Sequence, residues 1–140
     1  SFPFKLLLAY DIARGMEHLH GFEPPIIHRD LRSPNIFVAA LTHETESRVK
    51  VGDFGLSRLV APTLHGGDFN RNWLAPEVMK ADQYNGKMDV YSYGIVMWEI
   101  MTLQKPFEEY DNKFAGKPGS MFKSAVIDGL RPSIPEEFNG

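Results

Sequence analysis

Residues 28–35 read His28-Arg29-Asp30-Leu31-Arg32-Ser33-Pro34-Asn35, so a carboxylate, a carboxamide, an imidazole and two guanidinium groups fall within one short run. Asp53-Phe54-Gly55 and Ala75-Pro76-Glu77 follow at a distance. Moving a phosphoryl group to a hydroxyl needs a carboxylate to orient or deprotonate the acceptor. It also needs hard oxygen ligands for a cation that neutralises phosphate charge, and a positive group near the migrating phosphate. The run can supply all three, and Asp53 adds a further oxygen ligand. Such donors suit Mg2+, which takes one or two protein groups and fills its sphere with substrate phosphates and water. Alone, the first two strings read equally well as turns, because Asp, Asn, Ser and Pro are ordinary loop residues and Asp-x-Gly is a common turn, and the third as a plain helix start. Metal-assisted phosphoester hydrolysis by His28, Asp30 and Asp53 is a second chemistry open to the same groups. It leaves the order of the three strings without a reason.

Elements must hold these groups together. Leu6, Ala9, Tyr10, Ala13, Met16 and Leu19 recur at helical spacing, with Pro3 in the first turn and Gly21 past the end, which predicts an amphipathic helix over 3–20. Pro24 and Pro25 stop it. The β-branched runs 36–39 and 49–51, joined by a polar stretch, predict a hairpin. Asp53 then stands at a strand end, and Gly55 lets the chain swing away. Residues 53–76 keep no period, and so long an irregular stretch is usually functional or disordered. We expect function. Pro76 suits the first turn of a short helix.

Residues 89–103 carry Val90, Ile95, Val96, Met97, Trp98, Ile100 and Met101, which predicts a buried helix that is apolar nearly all round. A membrane span fails on length, and Asp89 and Glu99 interrupt the run. Asp89, at the mouth of such a helix, needs paired oxygens unless it is a solvated cap. Residues 108–119 read as a polar surface insertion and 120–128 as a last helix. Gly129, Pro132 and Pro135 prevent its continuation.

The composition, with 43% hydrophobic and 24% charged residues in 140, is that of one soluble domain. A net charge of −3 without a basic run excludes the electrostatic footprint of a nucleic-acid binder. The chain has no cysteine, hence no disulfide framework or thiolate metal site, which fits a reducing, cytoplasmic setting. Ser1-Phe2-Pro3 does not open a signal peptide and reads as a cut.

In this order and spacing the three strings resemble the catalytic loop, metal-binding motif and activation-segment end of protein kinases. Gly15-Met16-Glu17-His18-Leu19-His20, followed by Pro24-Pro25-Ile26-Ile27-His28-Arg29-Asp30, is similar to the tyrosine-kinase-like group, whose members mostly phosphorylate serine and threonine. Arg32-Ser33-Pro34-Asn35 and Gly129-Leu130-Arg131-Pro132-Ser133-Ile134-Pro135 are similar to segments of Roco kinases, with mixed-lineage-type kinases close behind. The resemblance implies a mainly α fold: a kinase-like C-terminal lobe with a small β-hairpin beside the catalytic loop, the N-terminal β-lobe absent. Residues 1–140 would then be a partial kinase domain. It implies transfer of the γ-phosphoryl group of ATP, with Mg2+, to a protein substrate. Asp30 would be the base, Asn35 and Asp53 the metal ligands, and Arg32 the contact to the γ-phosphate. Arg32, Asn35, Phe37 and Asp53 would line the nucleotide site. Phe54 would pack beneath the loop near His28, with Gly55 as pivot, and Asp89 would accept from backbone N–H groups near His28 and Arg29.

Several departures shape the expectation. Tyrosine kinases usually carry a proline before the Ala-Pro-Glu motif, whereas residues 68–74 have none, so serine/threonine specificity is favoured. The usual Gly-Thr-x-x-Trp arrangement is altered, and no threonine is placed to bridge Asp30 and its neighbouring cation. Arg29 beside the base suggests control by a phosphate. Ser57 and Thr63 are the hydroxyl residues between Asp53 and Ala75, and Thr63 is the better site because Ser57 lies near the metal ligand. No Gly-rich loop, lysine strand or helix glutamate occurs in the 140 residues. The arginine that would pair with Glu77 is not included either, so Glu77 is expected to be buried, unpaired and destabilising. The chain alone is therefore expected to have little activity. A kinase-like pseudoenzyme or interaction module is the alternative.

Overall fold

Pro3 lies in the first turn of helix α1, Phe2–His20, where its missing N–H has no helical partner to lose. In the computed structural model, which describes residues 1–42, 44–53, 68–82 and 85–138, Gly21 N closes this helix on Glu17 O at 2.9 Å. The helix is where the sequence predicts it, but its buried face is turned: Ala9, Ile12 and Met16 face the core, whereas Leu6 and Tyr10 of the predicted stripe are exposed. A 3-10 turn, Ser33–Asn35, leads into β1, Ile36–Val38, which pairs antiparallel with β2, Val49–Val51. The register sets Ile36 opposite Val51 and Val38 opposite Val49. At the turn end Ala39 N and Ala40 N both donate to Arg48 O. Buried Asp11 of α1 accepts from Arg48 N at 2.7 Å and from Arg48 Nη1 at 3.3 Å, which fastens the hairpin to the helix.

Beyond the hairpin come a 3-10 segment Asp68–Trp73, α2, Pro76–Met79, and α3, Lys87–Thr102. They are followed by a 3-10 turn Glu108–Tyr110, α4, Asp111–Phe114, α5, Gly119–Ile127, and a final 3-10 turn Glu136–Phe138. The described architecture is thus mainly helical with one two-stranded sheet. Helix α3 joins two cores. Val96 packs with Ile12, Met16, Leu31 and Val49, whereas its neighbour Ile95 packs with Met79, Phe107, Phe122 and Val126. Complete burial of such side chains is worth about 1.5–3 kcal/mol each, so α3 fixes the loop carrying Asp30 to the rest of the molecule.

Three further expectations need correction. Helix α3 is not buried all round: Met88, Asp89, Ser92, Ile95 and Val96 form one buried stripe at helical spacing, while Val90 is 60% and Met97 40% exposed. Apolar residues on its outer face had hidden that period. Residues 108–119 are more than a surface insertion. Tyr110 and Phe114, four apart, close over the second core, with Phe114 edge-on to Phe122 at 5.4 Å and Phe107 at 5.1 Å from the same ring. Glu77 is half-buried rather than buried, so its carboxylate keeps contact with water and does not carry the full cost of an unpaired interior charge. No helix among the described residues is long and apolar enough to cross a membrane.

Candidate active site

His28 is fully buried and both its ring nitrogens are engaged: Nδ1 accepts from Asp30 N at 3.2 Å, and Nε2 lies 3.0 Å from Gly52 O. A backbone N–H can only donate and a carbonyl can only accept. The ring therefore carries its proton on Nε2, an assignment made from the network. This one side chain shapes the turn around Asp30 and ties it to the end of β2.

Asp89 supplies the second anchor. Its Oδ2 accepts from His28 N at 2.8 Å and from His20 Nε2 at 2.8 Å, and its Oδ1 accepts from Arg29 N at 2.9 Å. The backbone partners expected for Asp89 are present, and a solvated cap is ruled out because the residue is 2% exposed. The turn it holds is strained. Arg29 has φ 71° and Asp53 φ 60°, left-handed conformations that cost non-glycine residues about 1–3 kcal/mol and persist only where surroundings impose them.

Asp30 itself is buried, and its carboxylate is held from two sides. Arg32 Nε donates to Oδ1 at 3.1 Å and Oδ2 at 3.2 Å, and Asn35 Nδ2 donates to Oδ2 at 2.9 Å and to the Asp30 carbonyl at 2.8 Å. The Arg32 guanidinium and the Asp30 carboxylate thus meet directly, without the bridging threonine that residues 68–74 lack. With the amide nitrogen of Asn35 committed to Asp30, its Oδ1 is the atom suited to a hard cation.

The hairpin register carries Asn35 and Asp53 to the same end of the sheet: Ile36 faces Val51, and Gly52 N donates to Asn35 O at 2.9 Å. Among the described residues no cluster of three or more His, Cys, Asp or Glu forms a metal cage. A carboxamide and a carboxylate on one rim fit instead the cation that shares its sphere with substrate phosphates. Phe37 lies on β1, 57% exposed, with its ring over Gly52. A Cβ at Gly52 would come within 2.6 Å of Phe37 Cε2, so the absence of a side chain there is what lets the ring approach the Gly52 backbone.

Of the remaining residues, Glu77 sits in the first turn of α2, away from these hydrogen bonds. Burial of Tyr91 raises its hydroxyl above the ordinary range; the positive charge of Arg131 opposes the shift, and the Glu77 carboxylate adds to it in smaller measure. Phe54, Gly55, Ser57 and Thr63 lie outside the described residues. Sequence reasoning passed over Ser33, Trp73 and Glu99. Ser33 Oγ donates to Glu99 Oε1 at 2.9 Å, and Trp73 Nε1 donates to Oε2 at 2.7 Å. An acid inside an apolar helix was the available signal, the same one that singled out Asp89.

The family model for protein tyrosine and serine/threonine kinases matches residues 1–137. The chain is 43% identical over 136 residues to the probable serine/threonine-protein kinase roco8 of Dictyostelium discoideum, covering 96% of this chain and 7% of that protein. It is 46% identical over 134 residues to the probable serine/threonine-protein kinase roco7 of the same organism, covering 94% and 5%. It is 47% identical over 138 residues to the serine/threonine-protein kinase CTR1 of Arabidopsis thaliana, covering 96% and 16%. The chain therefore spans only a small part of the length of these relatives. A match over nearly every residue, on the loop whose geometry is set out above, makes this chain a member of the protein kinase family, in its tyrosine-kinase-like group.

Proposed function

We propose that this chain is the C-terminal lobe of an ATP-dependent serine/threonine protein kinase and supplies its base, metal ligands and substrate segment. The observation that carries the reading is the Asp30 carboxylate, held by Arg32 and Asn35 at the rim where Asp53 also stands. Asp30 orients the acceptor hydroxyl and takes its proton as the new O–P bond forms and the bond to the departing ADP breaks. Arg32, beside it, offers positive charge to the migrating group. Asn35 and Asp53 would hold Mg2+, which would supply positive charge to offset that of the phosphates. Phe37 offers an apolar face to the nucleotide. The names of the relatives and the lack of proline in residues 68–74 support serine or threonine as acceptor. ATP and protein substrates fit a cytoplasmic setting.

The 140 residues include no Gly-rich loop and no lysine strand, so the chain by itself is expected to show little transfer. Activity belongs to a protein that carries it together with those elements. In such a protein, Asp30→Asn should lower phosphorylation of a serine peptide by a factor of about 100 to 10,000 while ATP still binds. Undiminished turnover would remove Asp30 as the base. The second reading, an interaction module without chemistry, rests on the same missing elements. Partner binding that survives loss of both Asp30 and Asp53, without transfer by the wild type, would favour it.

A further inference from the structure

We propose that the outer edge of β2, where it faces α1, is a docking site for an extended acidic peptide that adds a third strand to the hairpin. This is a binding role, separate from the chemistry assigned to Asp30, and it goes beyond the kinase reading.

The ladder itself leaves that edge open. Ala39 N donates to Arg48 O at 2.7 Å and Gly52 N to Asn35 O at 2.9 Å, so the hydrogen-bonded pairs of the hairpin fall at Ala39–Arg48, Phe37–Lys50 and Asn35–Gly52. Val49 and Val51 alternate with them and turn their N–H and C=O groups away from β1. Ser47 Oγ donates to Val49 O at 2.9 Å. Among the described residues the N–H and C=O of Val51 meet no partner. Such an edge is the template on which extended peptides add as strands.

The edge opens into a cleft. About 520 Å3 lies between α1 and β2, a volume within the range of ligand sites, and Gly15, Leu19 and Val51 make its apolar side. Gly15 is the telling residue. A Cβ there would lie 3.4 Å from Val51 Cγ2, an ordinary contact, so alanine would fit and would favour the helix by about 1 kcal/mol. Glycine is therefore not imposed by packing, and it keeps the helix side of the cleft open.

Charge selects the occupant. Arg14 and Lys50 line the cleft and are exposed. Of the two acids that line it, Asp11 is spent on buried Arg48, which leaves Glu46 to oppose them. In a chain of net charge −3 this is a local excess of positive charge, and it favours a strand whose acidic side chains stand beside apolar ones. A second copy of the chain, pairing through its own β2, would bring like charges together and is disfavoured.

The test uses the 140-residue chain and a short fluorescein-labelled peptide that alternates glutamate with valine, followed by fluorescence polarisation. Binding should be saturable. Replacing the glutamates by lysine, or methylating the backbone nitrogens that face the edge, should weaken it about tenfold or more. Arg14→Glu together with Lys50→Glu, both at exposed positions, should reverse the preference between the two peptides. Gly15→Leu, whose side chain has only the cleft to enter, should weaken binding about tenfold. On binding, amide hydrogen exchange should slow at Val51 and stay unchanged at Lys50, whose N–H already faces β1. No saturable binding up to about 1 mM peptide, equal affinity for the glutamate and lysine peptides, undiminished affinity after methylation, or unchanged exchange at Val51 overturns the proposal. So does concentration-dependent protection of Val51 without peptide, which would assign the edge to a second copy of the chain.

Discussion

The guanidinium of Arg32 meets the carboxylate of Asp30 through a single nitrogen, Nε, placed 3.1 Å from Oδ1 and 3.2 Å from Oδ2. The remaining guanidinium nitrogens are not spent on Asp30, so on the proposed reading one side chain steadies the Asp30 carboxylate and faces a phosphate at the same time. Arg32→Ala removes both services and should lower kcat in the kinase-competent protein about 100-fold, in the range for loss of one charge-stabilising donor. Arg32→Lys keeps the charge without the fixed planar fork and should recover about half of that loss in logarithmic terms. Steady-state kinetics with a serine peptide decides it, and equal activity of all three proteins would contradict the pairing's importance.

Asp89 is the stability counterpart. Replacing it with alanine strands the buried N–H groups of His28 and Arg29 and deprives the His20 ring of its partner. Urea unfolding should show a loss of about 3 kcal/mol or more. Asp89→Asn retains one acceptor oxygen and should cost less. His20→Ala removes only the partly exposed donor and should cost about 1 kcal/mol. Equal stability of Asp89→Ala and His20→Ala would show that the backbone contacts contribute little.

Burial raises the Glu99 carboxyl above its ordinary 4.5, outweighing the hydrogen bonds from Trp73 and Ser33 that favour the ionised form. A folded state that holds a proton more tightly than the unfolded chain gains stability below the unfolded pKa and loses that gain as pH rises through the folded value. The wild type should therefore lose stability relative to Glu99→Gln as pH rises from the ordinary carboxyl value of 4.5 through the raised folded value, because glutamine cannot titrate. Paired urea titrations measure the difference. A difference constant with pH would mean that water reaches the carboxylate freely.

Gly52→Ala separates nucleotide binding from folding. The new Cβ would collide with Phe37, but that ring is more than half exposed and can rotate away. The cost to folding should stay within about 1 kcal/mol. ATP affinity in a kinase-competent protein should fall several-fold as the apolar face tilts, and calorimetric titration would register it. Unchanged affinity would argue that Phe37 does not touch the nucleotide.

How far these features were legible depended on whether a local rule could reach them. The long helix at the start, the hairpin and Pro76 in its helix turn follow from spacing and from the chemistry of single residues. Asp89 was readable because an acid in an apolar helix must find donors, and the family resemblance supplied their address. Glu99 obeyed the same rule, yet its donors Ser33 and Trp73 lie 66 and 26 positions away and neither stands out by type. Tyr110 and Phe114 were lost among charged neighbours, because one four-residue spacing across a 3-10 turn and a four-residue helix gives no periodic signal. Val90 and Met97 misled in the opposite direction. Apolar residues can face water, since there is not enough polar surface to cover a protein.

The hairpin is fastened at both ends, by His28 to Gly52 O near Asp30 and by Asp11 to Arg48 at the turn. Its register is consequently independent of how long the turn is. Doubling a flexible turn costs only about 0.6 kcal/mol of closure entropy. Between Ala40 and Arg48 the chain is therefore free to gain or lose residues over evolutionary time, and a peptide tag inserted there would leave Asp53 in place at the rim.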